Sequence, residues 1–472
     1  MTARMQPAPA APAWGELFRD GRAVNAAIIV LGSSLYAIHI LVIAIIMPTI
    51  VADIGGAAYY AWTTMLYTVG SIVGSASLGP LWAALGRRRG CLAAAGIFLA
   101  GTVGCAVAPN MATLIAMRAV QGFAGGLLIG GTMALISGLF EARLRTRLLA
   151  LYQGSWMVCQ LLGPVFGGAF AEIGWWRGSF WATVPLVLCF ALLLWLKLPA
   201  QETGRAPDDA TGVPFGRLAL LSAGVLAIAA AGPLDHTALR AALLACGVAL
   251  VWRTLRLDRA AGNRLYPSQA LSLHSPVGLA LWVLFTVGFV QTSVTLFLPL
   301  LLQVVHGVTP LFISVITIVI TVGWTTGTFT VSGWTGARER LALRIGPILM
   351  MAGVVGTTAT VHLPSLWLLG VSAFVLGYGI GVHNVHLFAR TMAAAAKGEE
   401  RITSAALPSI RSLGTAFGAA VAGMLSNVAG LTNAMEPGSV LDTVTLVYGF
   451  NLLPVAFTIL FVFRMVRLGL RH

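Results

Sequence analysis

The chain has 472 residues, 58% of them hydrophobic and only 9% charged, where a soluble domain carries about 25% charged residues. A soluble fold of this size has no place to hide that much apolar surface, which points to a polytopic membrane protein. The formal net charge of +14 would suggest nucleic acid in a soluble protein, so its distribution along the chain has to decide between the two readings.

A spanning helix needs about 20 apolar residues. The Ala- and Pro-rich start is expected to be a disordered tail without a cleavable signal peptide. Apolar runs then predict spans near 24–47, 59–85, 91–108, 112–138, 148–170 and 177–196. A polar loop with Glu202, Arg205, Asp208 and Asp209 follows, then two shorter spans near 215–232 and 238–254 and a basic stretch to about 274. Six more spans are expected near 275–304, 309–332, 344–362, 365–388, 403–428 and 443–464. The fold expected is an all-α membrane protein with fourteen transmembrane helices. It divides into a cytoplasmic tail (1–23), a six-helix bundle (24–197), cytoplasmic loops with two inserted helices (198–274), a second six-helix bundle (275–464) and a cytoplasmic tail (465–472).

Lys and Arg in the connecting loops set orientation. Every basic residue except Arg118, Arg177, Arg240 and Arg411 falls on one side, including Arg87–Arg89, Arg143, Arg145, Arg147, Arg338, Arg340 and Arg344. That side is expected to be cytoplasmic and to hold both termini, so the net charge is topology and no nucleic-acid partner is expected. The loop at Gly86-Arg87-Arg88-Arg89 has a counterpart at Gly336-Ala337-Arg338-Glu339-Arg340, which suggests two related halves with a substrate site between them.

Chemistry is expected where polar or helix-breaking residues interrupt apolar runs. Arg118 stands three residues before Gln121-Gly122, and a buried charge in hydrocarbon is a functional-site hypothesis by default. Gly163-Pro164 with Gly167 and Gly168 predicts a kink followed by close helix approach. The cysteines (Cys91, Cys105, Cys159, Cys189, Cys246) show no CxxC or Cys/His spacing, so disulfides and zinc are not expected. His383 and His386 share a helix face but have no third ligand at suitable spacing, and no metal is expected.

Several stretches together resemble the major facilitator superfamily, specifically its fourteen-helix drug:proton antiporter branch, over about residues 24–465. Gly79-Pro80 through Gly86-Arg87-Arg88 resembles the loop motif between the second and third helices. Arg118-Ala119-Val120-Gln121-Gly122 resembles the fourth-helix arginine motif, and Gly163-Pro164 through Gly168 the antiporter motif of the fifth. Trp176-Arg177 with Phe180 and Pro185 resembles the start of the sixth, and Arg411-Ser412-Leu413-Gly414 with Gly418 a pattern of the thirteenth. The resemblance implies proton-driven export by alternating access, with the antiporter motif limiting proton leak. Two positions depart from the family pattern: His39 stands where an acid is usual before Pro48, and Ala83 where the loop motif has aspartate.

No acid lies within a predicted span, whereas Arg118, Arg411, His39, His383 and His386 do. Helices 1 and 4 and their repeat mates line the central cavity in that superfamily, so His39, Arg118, Gln291 and His383 are expected to face one another. Tyr36, Gln121, Gln160, Trp324 and Arg411 are further cavity candidates; Tyr67, Trp156, Trp282 and Tyr378 are aromatic candidates whose plainer role is packing. Arg118 needs acceptors, to be sought among backbone carbonyls, Gln121, Gln153, Gln160, His39, water or an anionic substrate. His39 beside it is expected to be neutral at pH 7 and to gain a proton when an anion binds. The plainer alternatives are a structural Arg118, a satisfied cavity His39 and Arg411 as part of an inner gate.

These residues predict a secondary transporter of the cell inner membrane, monomeric, carrying a small molecule against protons. No GxxxxGK[ST] motif or nucleophile–base constellation is present, so neither ATP hydrolysis nor enzymatic activity is expected. No cofactor is expected beyond the proton gradient. A cation in this cavity would meet arginines and no carboxylate, which favours an anionic or neutral organic substrate. Multidrug efflux of lipophilic cations and a non-transporting ligand sensor are the alternatives.

Overall fold

The computed structural model describes residues 14–19, 22–198, 214–232, 234, 236–262, 264–270, 272–431 and 435–468. Most of the N-terminal tail, the polar loop with Glu202, Arg205, Asp208 and Asp209, and the last four residues lie outside that set. All regular structure among the described residues is helical. The α-helices are α1 (Arg22–Ile54), α2 (Trp62–Ala106), α3 (Met111–Leu139), α4 (Ala142–Glu172), α5 (Trp176–Trp181), α6 (Val184–Lys197), α7 (Phe215–Ala230) and α8 (Thr237–Ala260). They continue with α9 (Pro276–Leu300), α10 (Pro310–Val331), α11 (Ala337–Thr360), α12 (Leu366–Ala393), α13 (Glu400–Val428), α14 (Pro437–Phe450) and α15 (Leu452–Leu468).

The predicted loop after the second span is a single residue. Gly86 adopts φ 76° and ψ 163° inside α2, a conformation open to glycine and strained for side-chain residues. The chain reverses there: Gly70 before the break and Gly101 after it both pack against α3 between Ala119 and Phe123. Gly336, at the corresponding turn of the second half, also has positive φ. In both halves the first helix packs on the fifth and the fourth on the second and third, so the repeat read from the loops extends to the packing.

Ten helical segments are long and apolar enough to cross a membrane by length and composition, with α2 contained in one of them. The helices overrun the predicted ends, which corrects the placement of several acids. Asp53, Asp258, Glu339 and Glu400 lie inside helices rather than between them, near helix ends, and Asp442 lies near the middle of α14.

The two bundles meet unevenly. One apolar cluster unites the C-terminal bundle with Val42–Val69, Cys105–Ile115 and Ala171–Phe180 of the N-terminal one. The other end of the N-terminal bundle has its own separate core, including Leu35, Phe98, Leu128 and Leu144. Among the described residues the halves therefore share a core at the end away from the Arg-rich turns. The inserted hairpin α7–α8 packs on α13 and α2. It is held by a buried Arg217–Asp258 ion pair, with Asp258 also accepting from the Leu265 and Tyr266 amides.

Candidate functional site between and within the bundles

The N-terminal bundle holds a closed polar relay. Arg118 in α3 is fully buried, with its guanidinium 4.0 Å from the Tyr67 ring centroid. Its Nε donates to the Thr63 carbonyl at 3.3 Å and Nη1 donates to Gln121 Oε1 at 2.6 Å. With its oxygen committed, Gln121 turns its amide nitrogen to Thr102 Oγ1 (2.9 Å) and to His39 Nδ1 (3.1 Å). Nδ1 must therefore accept, which places the ring proton on Nε2 and fixes a neutral imidazole in this arrangement. Both His39 Nε2 and Arg118 Nη2 are sealed without a partner. The imidazole is held between Phe98 and Phe180, with ring centroids at 5.2 and 5.8 Å. Tyr36 closes the group: its carbonyl accepts from the Tyr67 hydroxyl, and its own hydroxyl meets Ser71.

The C-terminal bundle holds a second arrangement of the same kind. Arg411 in α13 donates from Nη2 to Gln291 Oε1 of α9 at 2.8 Å and lies 4.4 Å from the Trp324 ring centroid in α10. All three side chains are half-buried. The crossing of α9 and α13 depends on small residues, since a Cβ on Gly414 would stand 2.1 Å from the Phe285 carbonyl oxygen.

The four residues expected to face one another do not. His39 and Arg118 are joined through Gln121 inside one bundle, while Gln291 belongs with Arg411 in the other. His383 belongs to neither group. It lies in the α11–α12 seam, where a Cβ on Gly346 would come within 2.6 Å of its Cβ, and its Nδ1 meets the Gly379 carbonyl at 2.8 Å. Its helical phase with Leu376 and Gly379, which also pack on α11, was the available signal. His386 meets the Val331 carbonyl instead, so the two imidazoles do not converge. Gln153 is exposed, Gln160 half-buried, and neither bonds Arg118.

The glycine-rich motifs fall at junctions. Gly163 and Gly167 face Leu41 and Val42 of α1, whereas Gly168 faces α10: a Cβ there would stand 2.2 Å from Ser314 Oγ and 2.8 Å from the Pro310 carbonyl. Ser314 donates to the Pro164 carbonyl at 2.6 Å, and Glu172 accepts from the Leu311 amide at 3.1 Å. At the same end Tyr60 stacks on Phe297, with centroids 5.4 Å apart, and Asn427 donates to the Ala58 carbonyl. These cross-bundle bonds all lie away from the Arg-rich turns. Gly79 is exposed, Arg87 half-buried, and Arg88 lies over Trp195 within its own bundle. Sequence reading missed Thr63, Thr102, Ser314 and Glu172 as partners, because each acts across helices with no local pattern to mark it.

The Major Facilitator Superfamily profile matches residues 27–419. A probable multidrug-efflux transporter of Mycobacterium tuberculosis is 31% identical over 431 residues, spanning 88% of this chain and 90% of that protein. An efflux pump of Dothistroma septosporum is 31% identical over 293 residues, covering 60% of this chain and 49% of the pump. Among solved structures, a bacterial homologue of the human lysosomal transporter Spinster, inward-facing and unoccupied, superposes with a TM-score of 0.62 at 16% identity, covering 96% of this chain and 98% of its own. The xylose transporter of E. coli, partially occluded and inward-open, gives 0.59 at 15% identity with coverage of 92% and 96%. Family and relatives together mark a transporter and not an enzyme. From a profile spanning most of its length and a relative aligned over about nine-tenths of both proteins, the chain belongs to the Major Facilitator Superfamily.

Proposed function

We propose that the chain is a fourteen-span exporter of the inner membrane that exchanges a small anionic or neutral organic compound for protons by alternating access. Counting α2 as two arms, and adding α4, α13 and the shorter α7 to the ten apolar segments, gives fourteen crossings. α4 and α13 fall outside the apolar set because they carry Gln153, Gln160, Ser404 and Arg411, as helices facing a polar path would. The positive-inside rule puts the Arg-rich end and both termini in the cytoplasm, and the protein works as a monomer. The bundles are joined at the opposite end, so this conformation is open toward the cytoplasm.

The observation that carries the proposal is the His39–Gln121–Arg118 relay. A proton arriving at Nδ1 turns an acceptor into a donor. Gln121 then has to reverse its amide, which presents its nitrogen to Arg118 and breaks that bond. Protonation of His39 is thus linked to release of the Arg118 guanidinium, and the chain needs no carboxylate in the first helix for coupling. The test is proton flux in proteoliposomes: His39→Gln is expected to retain substrate binding and lose dependence on the pH gradient. Unchanged proton coupling in that variant removes His39 from the mechanism.

Multidrug efflux, as the name of the Mycobacterium tuberculosis relative has it, is the second reading, with lipophilic cations as the substrates. Against it stands the interior charge, since neither Arg118 nor Arg411 has an acidic partner among the described residues.

A further inference from the structure

Arg118 and Arg411 are built alike, each bonded to a glutamine oxygen and set over an aromatic ring. They differ in access. Arg118 has zero exposure and its unpaired nitrogen is sealed, whereas Arg411 is half-buried, with Nε and Nη1 neither hydrogen-bonded nor sealed. Arg411, Gln291 and Trp324 come from α13, α9 and α10, the C-terminal-bundle helices that pack on α2, α1 and α4 of the other half. Arg411 lies twelve residues from Gly423 and Trp324 ten from Ser314, so the group sits about 15–18 Å below the closed end at 1.5 Å per residue. It is on the open side of the seal.

We propose that Arg411, Gln291 and Trp324 form the substrate-recognition site, and that it takes a planar aromatic carboxylate. This rests on the anionic reading of the substrate and deepens it. Nη2 keeps a second hydrogen beside the one it gives to Gln291, and with the neighbouring nitrogen on that edge it forms the fork that matches a carboxylate with two parallel hydrogen bonds. The Gln291 oxygen fixes the orientation of the fork from its other side. Arg411 Cζ lies 4.4 Å from the Trp324 ring centroid, so an aryl group on the bound carboxylate comes within reach of the indole, which adds aromatic contact. Arg118 takes no direct part, since no donor of its guanidinium reaches the space between the bundles.

The experiment is ligand-induced thermal stabilisation of the purified full-length protein with four matched probes: 2-naphthoate, 2-naphthamide, decanoate and 2-naphthylmethylammonium. The expected result is stabilisation by 2-naphthoate, with binding about tenfold to a hundredfold tighter than for the amide, the range for one charge-assisted pair. Arg411→Gln is expected to remove that preference and leave the amide response in place. Gln291→Glu keeps the guanidinium packed and supplies it with a counter-charge; it is expected to fold, lose 2-naphthoate and accept the ammonium probe. Full retention of 2-naphthoate binding in both variants overturns the site while leaving an anionic substrate standing. Equal stabilisation by decanoate assigns the pocket to fatty acids or lipid and overturns the aromatic class. Stabilisation by the ammonium probe alone, or by no probe, overturns the anionic reading and the site with it.

Discussion

Arg118 is a charge without a counter-charge, held by one amide oxygen, one backbone carbonyl and the face of Tyr67. Removing it orphans Gln121 Oε1, and an unsatisfied buried acceptor costs about 1–3 kcal/mol. Arg118→Met is therefore expected to lower stability by about that amount, and a double-mutant cycle with Gln121→Leu to show coupling of about 0.5–3 kcal/mol. Thermal unfolding in detergent measures both; strict additivity would mean that the relay is not a unit. Arg118, Gln121 and Arg411 were legible in sequence because a charge or amide inside an apolar run stands out, and three-residue spacing puts Arg118 and Gln121 on one face. Which arginine is sealed was not legible. That depends on Tyr67, Thr102 and Phe180, contributed by other helices, and no local pattern reports such contacts.

At the scale of elements, the junction of α4 with α10 behaves as a gate made of weak parts. The Ser314–Pro164 and Glu172–Leu311 bonds between them, and the neighbouring Tyr60–Phe297 ring pair outside both helices, contribute about 1 kcal/mol apiece. These specific bonds add little to the shared apolar core, so they suit a contact whose register must be remade in every cycle. Gly168→Val would drive a branched side chain into Ser314 and the Pro310 carbonyl and hold the gate apart. The Ala61 Cβ lies 2.8 Å from where a Cβ on Gly423 would stand, about 1 Å inside disulfide spacing, so an Ala61→Cys/Gly423→Cys pair is expected to crosslink under oxidation in the gate-closed state once the two segments ease apart by that amount. Adding Gly168→Val should reduce the crosslinked fraction severalfold; an undiminished fraction would show that α4–α10 packing does not control closure.

The inserted hairpin makes a different prediction. Arg217 and Asp258 were read from sequence only as charges on the basic side, yet they pair in a buried site. Breaking such a pair by truncating one partner costs about 3–5 kcal/mol. Asp258→Ala should therefore destabilise the protein by roughly that amount, whereas truncation of the exposed Arg22–Glu141 pair should cost under about 1 kcal/mol. Equal melting temperatures for the two variants would contradict the buried geometry. The helices themselves were legible from apolar length. The ends were not, because α8 runs past the predicted boundary to Ala260 in order to set Asp258 against Arg217.

For the whole molecule, substrate charge and coupling have a joint electrical consequence. Exporting a monovalent anion while importing a proton carries two positive charges inward per cycle, each worth about 2.3 kcal/mol per 100 mV. One-for-one exchange of a monovalent cation for a proton carries none. The carboxylate-free relay belongs to the first scheme. The most direct measurement is 2-naphthoate efflux from loaded proteoliposomes at symmetric pH, with the potential set by valinomycin and potassium and protein-free liposomes as baseline. An inside-negative potential should accelerate protein-dependent efflux, an inside-positive potential should suppress it, and Arg411→Gln should reduce it to baseline. Movement of 2-naphthylmethylammonium but not 2-naphthoate, at a rate indifferent to the potential, would contradict the account.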